Sequence, residues 1–408
     1  MPPYVRRRPA RVASVAAAGA LLLAVLPALA AGNVSETTRK TTTVVAPWVH
    51  ASGTGFVDQA GNPVYLRGFN ANSSMGYQLA AGLGANFVRI PVYWSDLELT
   101  PPVNGVHTWD LTALAALDAE VQLLQSQKVN VLIDFHQTGW SPYFTNITQA
   151  ARGMPAWLYG PAYFPQPMTQ LGLGLAKKDF ATNPAILPYY EAYMQMLIQR
   201  YSSYPNVVGY ELYNEPQPGK LKSTHDGTQA LIAFQAQLLQ FVRSLDPQRT
   251  VFVSVRQGGN LGFLNADLTA WGSLANLAID LHDYFVGLDA PYGYSTDTES
   301  WYPNHDAVVT YNEATYVGTE ANQLRILDQV LAKTNAWGVP LLVGEWGARL
   351  NDPGLLEYQR QMLDAFRQRK LNWTRWALTS HGIKAILNPD YTLTPAALQI
   401  QQDLQLPY

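Results

Sequence analysis

Val207-Val208-Gly209-Tyr210-Glu211-Leu212-Tyr213-Asn214-Glu215-Pro216 decides how the rest of the chain is read. Residues 207–212 are apolar enough for a strand covered on both faces, and Pro216, which has no N–H to donate, stops it. Such a strand delivers Asn214 and Glu215 at its C-terminal end, where enzymes built on parallel α/β barrels keep their chemistry. A second apolar run, Pro340-Leu341-Leu342-Val343-Gly344-Glu345-Trp346-Gly347, also ends in a glutamate. The question is whether Glu215 and Glu345 face each other.

Working outward, the chain alternates. Strands are expected at 64–68, 87–90, 130–134, 207–212, 250–255, 277–281, 341–344 and 372–377. Helical periodicity falls at 111–127, 185–201, 229–245, 321–337, 355–369 and 394–404. Eight strands with helices between most of them predict an α/β fold, a (β/α)8 TIM barrel, with a doubly wound open sheet as the alternative. The turn cluster Asp58-Gln59-Ala60-Gly61-Asn62-Pro63 predicts a small hairpin capping the barrel bottom. Two connections are long and aromatic. Residues 135–181 carry Trp140, Tyr143, Phe144, Trp157, Tyr159, Tyr163 and Phe164, and residues 282–316 carry Tyr284, Phe285, Tyr292, Tyr294, Trp301 and Tyr302. Both follow strands, so both are expected as functional loops at the C-terminal face.

The composition agrees with a single catalytic domain. The chain has 408 residues, 48% of them hydrophobic, enough for one barrel of roughly 250 residues with long loops. A charged fraction of 14% and a net charge of -3 leave no electrostatic footprint for nucleic acid. There are no cysteines, so a disulfide framework and a thiolate nucleophile or metal ligand are excluded. The 11 Trp and 23 Tyr suit sugar-stacking surfaces and a bulky core equally.

Arg6, Arg7, Arg8 and Arg11 precede an apolar stretch at 12–29 that ends in Ala28-Leu29-Ala30. That order is a signal peptide with cleavage after Ala30, an uncleaved anchor being the alternative. Residues 31–49 read as a flexible Thr-rich spacer and 50–408 as the catalytic domain. The expected product is a secreted, extracellular monomer without stable membrane insertion after cleavage.

The polar residues at the strand ends form a set: Arg89, His136, Asn214, Glu215, His282, Tyr284, Glu345 and Trp376. Singly, each has a bland reading as a buried ion-pair partner, a structural histidine or core. Together they would converge on one pocket. Two carboxylates in such a pocket suit glycoside hydrolysis, one giving a proton to the leaving oxygen and the other attacking the anomeric carbon. Asn214 can hydrogen-bond a sugar hydroxyl, Arg89 and Tyr284 can hold and aim Glu345, and Trp376 can floor a sugar ring. A retaining mechanism places the carboxyl groups about 5–5.5 Å apart. Glu211 is expected deeper in the barrel, Asp134 as support, and Asp283 and Glu320 on a solvated rim.

This set, together with Asn62-Pro63-Val64-Tyr65-Leu66-Arg67-Gly68 at the barrel entry, resembles glycoside hydrolase family 5, the cellulase family (clan A) of (β/α)8 retaining hydrolases. The resemblance spans about residues 50 to 408 and implies Glu215 as acid/base and Glu345 as nucleophile, with no cofactor and no metal. It implies a β-glucan or β-mannan type of substrate. Asp134-Phe135-His136-Gln137 and Gly153-Met154-Pro155-Ala156-Trp157 are also similar to the endoglycoceramidase branch, which makes a glycolipid substrate the alternative. The chain departs from that branch in its loop composition and in the separate C-terminal β-sandwich, no second domain being expected before Tyr408.

Three rivals remain from the residues alone. A carbohydrate-binding barrel without turnover would bind glycosides and cleave none. A metal-dependent hydrolase would draw on His136, His282, Asp134, Asp280 and Asp283, although its two histidines lie on distant strands. A serine esterase is disfavoured by the lack of a Gly-x-Ser-x-Gly elbow.

Overall fold

Runs of apolar β-formers account for the strands, and their pairing closes a circle. The structure, a computed structural model, describes residues 45–148, 151–217, 219, 224–254, 267–284, 304–311, 314–350, 354–382 and 384–408. The expected signal peptide, most of the spacer, and Phe285, Tyr292, Tyr294, Trp301 and Tyr302 lie outside the described residues, as does the side chain of Glu320.

In chain order the strands begin with β1 (Val49–Ser52), β2 (Gly55–Asp58) and β3 (Pro63–Val64). Then follow β4 (Arg67–Asn70), α1 (Ser74–Gly82), β5 (Phe87–Tyr93), α2 (Trp94–Leu97), α3 (Leu111–Ser126), β6 (Asn130–His136), α4 (Gln170–Thr182), α5 (Leu187–Tyr201) and β7 (Val207–Glu211). The second half adds α6 (Thr224–Leu245), β8 (Thr250–Val253), β9 (Leu277–Asp283), β10 (Asn304–Tyr311), β11 (Ala314–Thr319), α7 (Glu320–Trp337), β12 (Leu341–Trp346), α8 (Leu355–Arg369), β13 (Asn372–Arg375) and α9 (Pro395–Leu404). Strands β4 to β9, β12 and β13 close an eight-stranded parallel barrel in sequence order, so the fold is a (β/α)8 barrel. Helix starts follow side-chain chemistry. Asp110 accepts from the first amides of α3, Thr169 does so for α4, and Thr394 caps α9 ahead of Pro395.

Strands β1, β2 and β3 form a separate antiparallel sheet. Val49, Ala51 and Phe56 of this sheet pack with Leu66, Phe87, Leu132, Val208, Phe252, Ala278 and Leu342, from the N-terminal ends of seven barrel strands. The hairpin therefore corks the N-terminal end, and polar side chains are left to the other end. The spacer expected up to residue 49 stops earlier than its composition suggests. Val45 and Trp48 already donate backbone hydrogen bonds to Ser202 (3.0 Å) and Pro205 (2.7 Å).

Three further expectations are corrected. The first barrel strand starts at Arg67 rather than 64, because residues 63–64 are used by the cork. The connection at 135–181, expected as a loop, contains α4, and three of the seven aromatic side chains named for it are packed inside. Trp140, Phe144 and Tyr159 are buried, with Trp140 Nε1 donating to Tyr159 Oη at 2.9 Å and Trp157 Nε1 to the Glu98 carbonyl at 3.1 Å. The connection at 282–316 holds the antiparallel hairpin β10–β11, which no alternation of residue type had announced.

Candidate active site

Strand geometry aims the residues, and at β12 an irregularity does so. Val343 lies opposite Leu281 of β9, whereas Glu345 lies opposite His282, so Gly344 is an extra residue in β12. Without this bulge Glu345 would share the outward direction of Val343; with it, the carboxylate turns into the barrel. Only glycine fits there, since a Cβ on Gly344 would sit 2.0 Å from Asp280 Oδ1. Glu215 stands just beyond β7 in a left-handed conformation, φ 43°.

One oxygen of Glu215, one of Glu345 and a ring nitrogen of His282 all lie within 4.8 Å of one another. The two carboxylates thus face each other across the mouth. Glu345 is the more enclosed, its side chain 6% exposed against 19% for Glu215. Arg89 Nη1 donates to Glu345 Oε1 at 2.8 Å and the Tyr284 hydroxyl donates to Oε2 at 2.8 Å. His282 Nδ1 is 2.9 Å from Glu215 Oε1 and 3.5 Å from Glu345 Oε2.

Arg89 is the hub. It was expected at a strand end, but β5 runs on to Tyr93, so its guanidinium sits below the mouth and is wholly buried. It forks onto both oxygens of Glu211 (2.6 and 3.0 Å) and also donates to Asn70 Oδ1 (2.9 Å) and Asn214 Oδ1 (2.7 Å). Asn214 Nδ2 in turn donates to the Gln137 carbonyl at 2.9 Å and approaches His136 Nε2 at 3.4 Å. His136 Nδ1 lies 2.5 Å from Asp134 Oδ2, and its ring stacks on Trp376, 5.4 Å between centroids. The eight residues picked from strand ends are therefore joined in one network, with Trp376 partly exposed beside it.

Electrostatics follow from burial and partners. Burial would lower the Arg89 pKa, but Asp134, Glu211, Glu345 and Asp280 outweigh it and raise it. Burial and the charge of Arg89 push His136 down to about 3, so its ring is neutral. Burial also opposes charge on His282, yet Glu345, Asp280 and Glu215 raise it well above the ordinary histidine value. For Glu215 burial is overridden by His282, then by His136 and Lys384, and the pKa is lowered. Glu211 is raised by burial despite Arg89.

Several contributors escaped the sequence reading. Asn70 holds the Gly344 carbonyl at 2.7 Å and could have been noticed as the polar end of β4. Lys384 Nζ lies 3.4 Å from the Tyr284 ring centre. Lys177, on the unexpected helix α4, hydrogen-bonds Gln217, and burial lowers its pKa to about 8. Asp283, expected on the rim, is 4% exposed and hydrogen-bonded by Gln323 of α7, which folds back over it. Of the donors imagined for a metal, Asp280 and His282 come together, while Asp134 pairs with His136 and Asp283 with Gln323. Among the described residues the tight donor groups are Glu211–Asp280–His282 and Glu215–His282–Glu345, and Arg89 already engages both oxygens of Glu211.

A closed parallel barrel with two facing carboxylates at its mouth is the architecture of a retaining glycoside hydrolase. The family model Cellulase (glycosyl hydrolase family 5) matches residues 57–382, and the chain belongs to that family. Mannan endo-1,4-beta-mannosidase 3 of Arabidopsis thaliana is 24% identical over 204 residues, 45% of this chain and 44% of that protein, so the match spans less than half of the relative. Mannan endo-1,4-beta-mannosidase 7 of Oryza sativa subsp. japonica is 21% identical over 321 residues, 74% of this chain and 76% of that one. A solved structure of an endogalactoceramidase superposes with a TM-score of 0.67 at 18% identity, covering 88% of this chain and 84% of that one, a likeness of fold. Among the described residues no helix is long and apolar enough to cross a membrane.

Proposed function

We propose that the chain is a secreted β-glycosidase that hydrolyses β-linked glucan- or mannan-type oligo- or polysaccharide by double displacement. Glu345 is the nucleophile. Arg89 and Tyr284 each donate to one of its oxygens, leaving the carboxylate aimed but with little freedom to turn. Glu215 is the acid/base, its greater exposure leaving room for a leaving group. Asn214 binds a sugar hydroxyl, and Trp376 with His136 supports the ring. Attack forms the bond from Glu345 to the anomeric carbon as the glycosidic C–O bond breaks and the oxygen takes a proton through Glu215. Water then enters, giving its proton to Glu215, and Glu345 is released with net retention.

The observation that carries this reading is the approach of the two carboxylates to within 4.8 Å. One oxygen of each lying this close supports carboxyl groups at the retaining separation of about 5–5.5 Å over the roughly 6.5–9.5 Å of inverting enzymes, which leave room for a water between them. The matches to two mannan endo-1,4-beta-mannosidases support a mannan class. A glycolipid-directed activity is the second reading, supported by the fold-level likeness to an endogalactoceramidase. Export through the 1–30 segment and a monomeric state belong to the same proposal.

Aryl β-glycosides, β-glucans, β-mannans and a glycosphingolipid should be assayed with wild type and with Glu345→Gln. One β-linked class should turn over with retention, and Glu345→Gln should lower kcat by about 1,000-fold or more. Inversion, cleavage of only α-linked substrates, or an active Glu345→Gln would overturn the reading.

A further inference from the structure

Glu215 has to deliver a proton, yet its surroundings favour its ionised form, so the proton must be held beside it. His282 is the neighbour in place, its Nδ1 2.9 Å from Glu215 Oε1. Behind it, Nε2 lies 3.3 Å from Asp280 Oδ2. Among the described residues no aligned hydrogen bond reaches that nitrogen or either Asp280 oxygen, Glu211 being the other side chain beside the Asp280 carboxylate, and Asp280 is only 3% exposed. A buried carboxylate is costly unless a cation stands against it, and His282 at 3.3 Å is nearer to Asp280 than Arg89 at 3.9 Å. The bulge glycine Gly344 makes the room for it, and an oxygen of Glu211 lies within 4.8 Å of the same pair.

We propose that Asp280 is a positioning residue for the acid step, holding His282 doubly protonated from inside the barrel so that the Nδ1 proton supplies Glu215. This rests on Glu215 being the acid/base. The Nδ1–H bond breaks as Glu215 Oε1 takes the proton and passes it to the leaving oxygen, which keeps the electron pair of the broken C–O bond. His282 is then neutral and Glu215 ionised, ready to take a proton from water. That proton returns to Nδ1 when Glu345 is freed, so the cycle closes without any co-reactant.

Charged and titratable groups surround the relay on every side. Arg89 of β5, with its Nε 3.9 Å from Asp280 Oδ2, and Asp134 and His136 of β6 lie on one side. Glu211 of β7, Glu345 of β12, Tyr284 after β9, Lys384 after β13 and Lys177 of α4 complete the ring. Within it, removing the negative charge of Asp280 must make the His282 proton easier to lose.

Asp280→Asn keeps the shape and removes that charge. The alkaline limb of kcat/KM should move down by about one pH unit or more. Phenyl glycosides, which need the acid, should lose at least about tenfold more activity than dinitrophenyl glycosides, which do not. An unmoved limb with both substrates slowed equally means that Asp280 only fills space, and overturns the role. Nitrogen-15 NMR of histidine-labelled wild type gives a test that needs no folded Asp280 variant, with the His282 signal assigned by its loss in His282→Gln. Both ring nitrogens of His282 should be protonated at pH 7.5, and a neutral ring there overturns the proposal. An active Glu345→Gln would instead sink the double-displacement reading, so the two failures are distinguishable.

Discussion

Arg89 shows how much of this site depends on one side chain. Its donors engage Glu211, Asn70, Asn214 and Glu345, so a lysine, with a single ammonium point, cannot reproduce the fork. Arg89→Lys should cut kcat/KM by about 100-fold with far-UV circular dichroism unchanged; near-normal kinetics would show that the fork is dispensable. Gly344 is constrained from the opposite direction, because any Cβ collides with Asp280. Gly344→Ala should destabilise by about 1–3 kcal/mol in urea unfolding, and adding Asp280→Ala should recover part of that loss. Additive losses would mean that the two residues do not press on each other.

At the scale of elements, β6 and β12 each bring a titratable group into the barrel. His136 closes β6, and its pKa of about 3 lies below the ordinary 6.5. Below pH 6.5 the unfolded chain binds a proton that the folded one refuses, so this stability is present above 6.5 and is lost as pH falls toward 3. The slope is at most about 1.4 kcal/mol per pH unit. Denaturant unfolding of wild type and His136→Asn between pH 7 and 4 should show a shallower fall for the variant, and parallel curves would contradict a neutral, buried His136. The helices were legible wherever their period was clean, α8 being read at its observed limits of Leu355–Arg369. Helix α4 was not, because its glycines and flanking prolines look like loop and only packing against the barrel makes it a helix.

For the whole molecule, the two ends of the barrel have divided labour. The cork of β1, β2 and β3 fills the N-terminal end with apolar groups, and Phe56 stacks on Phe252 at 5.8 Å. Phe56→Ala should cost about 3–5 kcal/mol while leaving the KM of the folded enzyme within about twofold, since bottom-face packing reads as stability and not as chemistry. A large change in KM with unaltered melting would reverse that assignment.

Local pattern was enough for the count of barrel strands, the barrel class and the eight residues picked for its site, though not for Asn70, Lys384 or the β10–β11 hairpin, because period and strand-end position are properties of neighbouring residues. Two glutamates 130 positions apart could be named in the same way, by the apolar runs that end in them. Their confrontation was settled only by the closed barrel. The β12 bulge reverses the direction of Glu345, and alternation along the chain cannot reveal it, since it depends on register against β9. Arg89 gathering four carboxylates, Asp280 behind His282 and the burial of Trp140, Phe144 and Tyr159 are likewise products of closure. Charges far apart in sequence share one desolvated space only after the eighth strand meets the first.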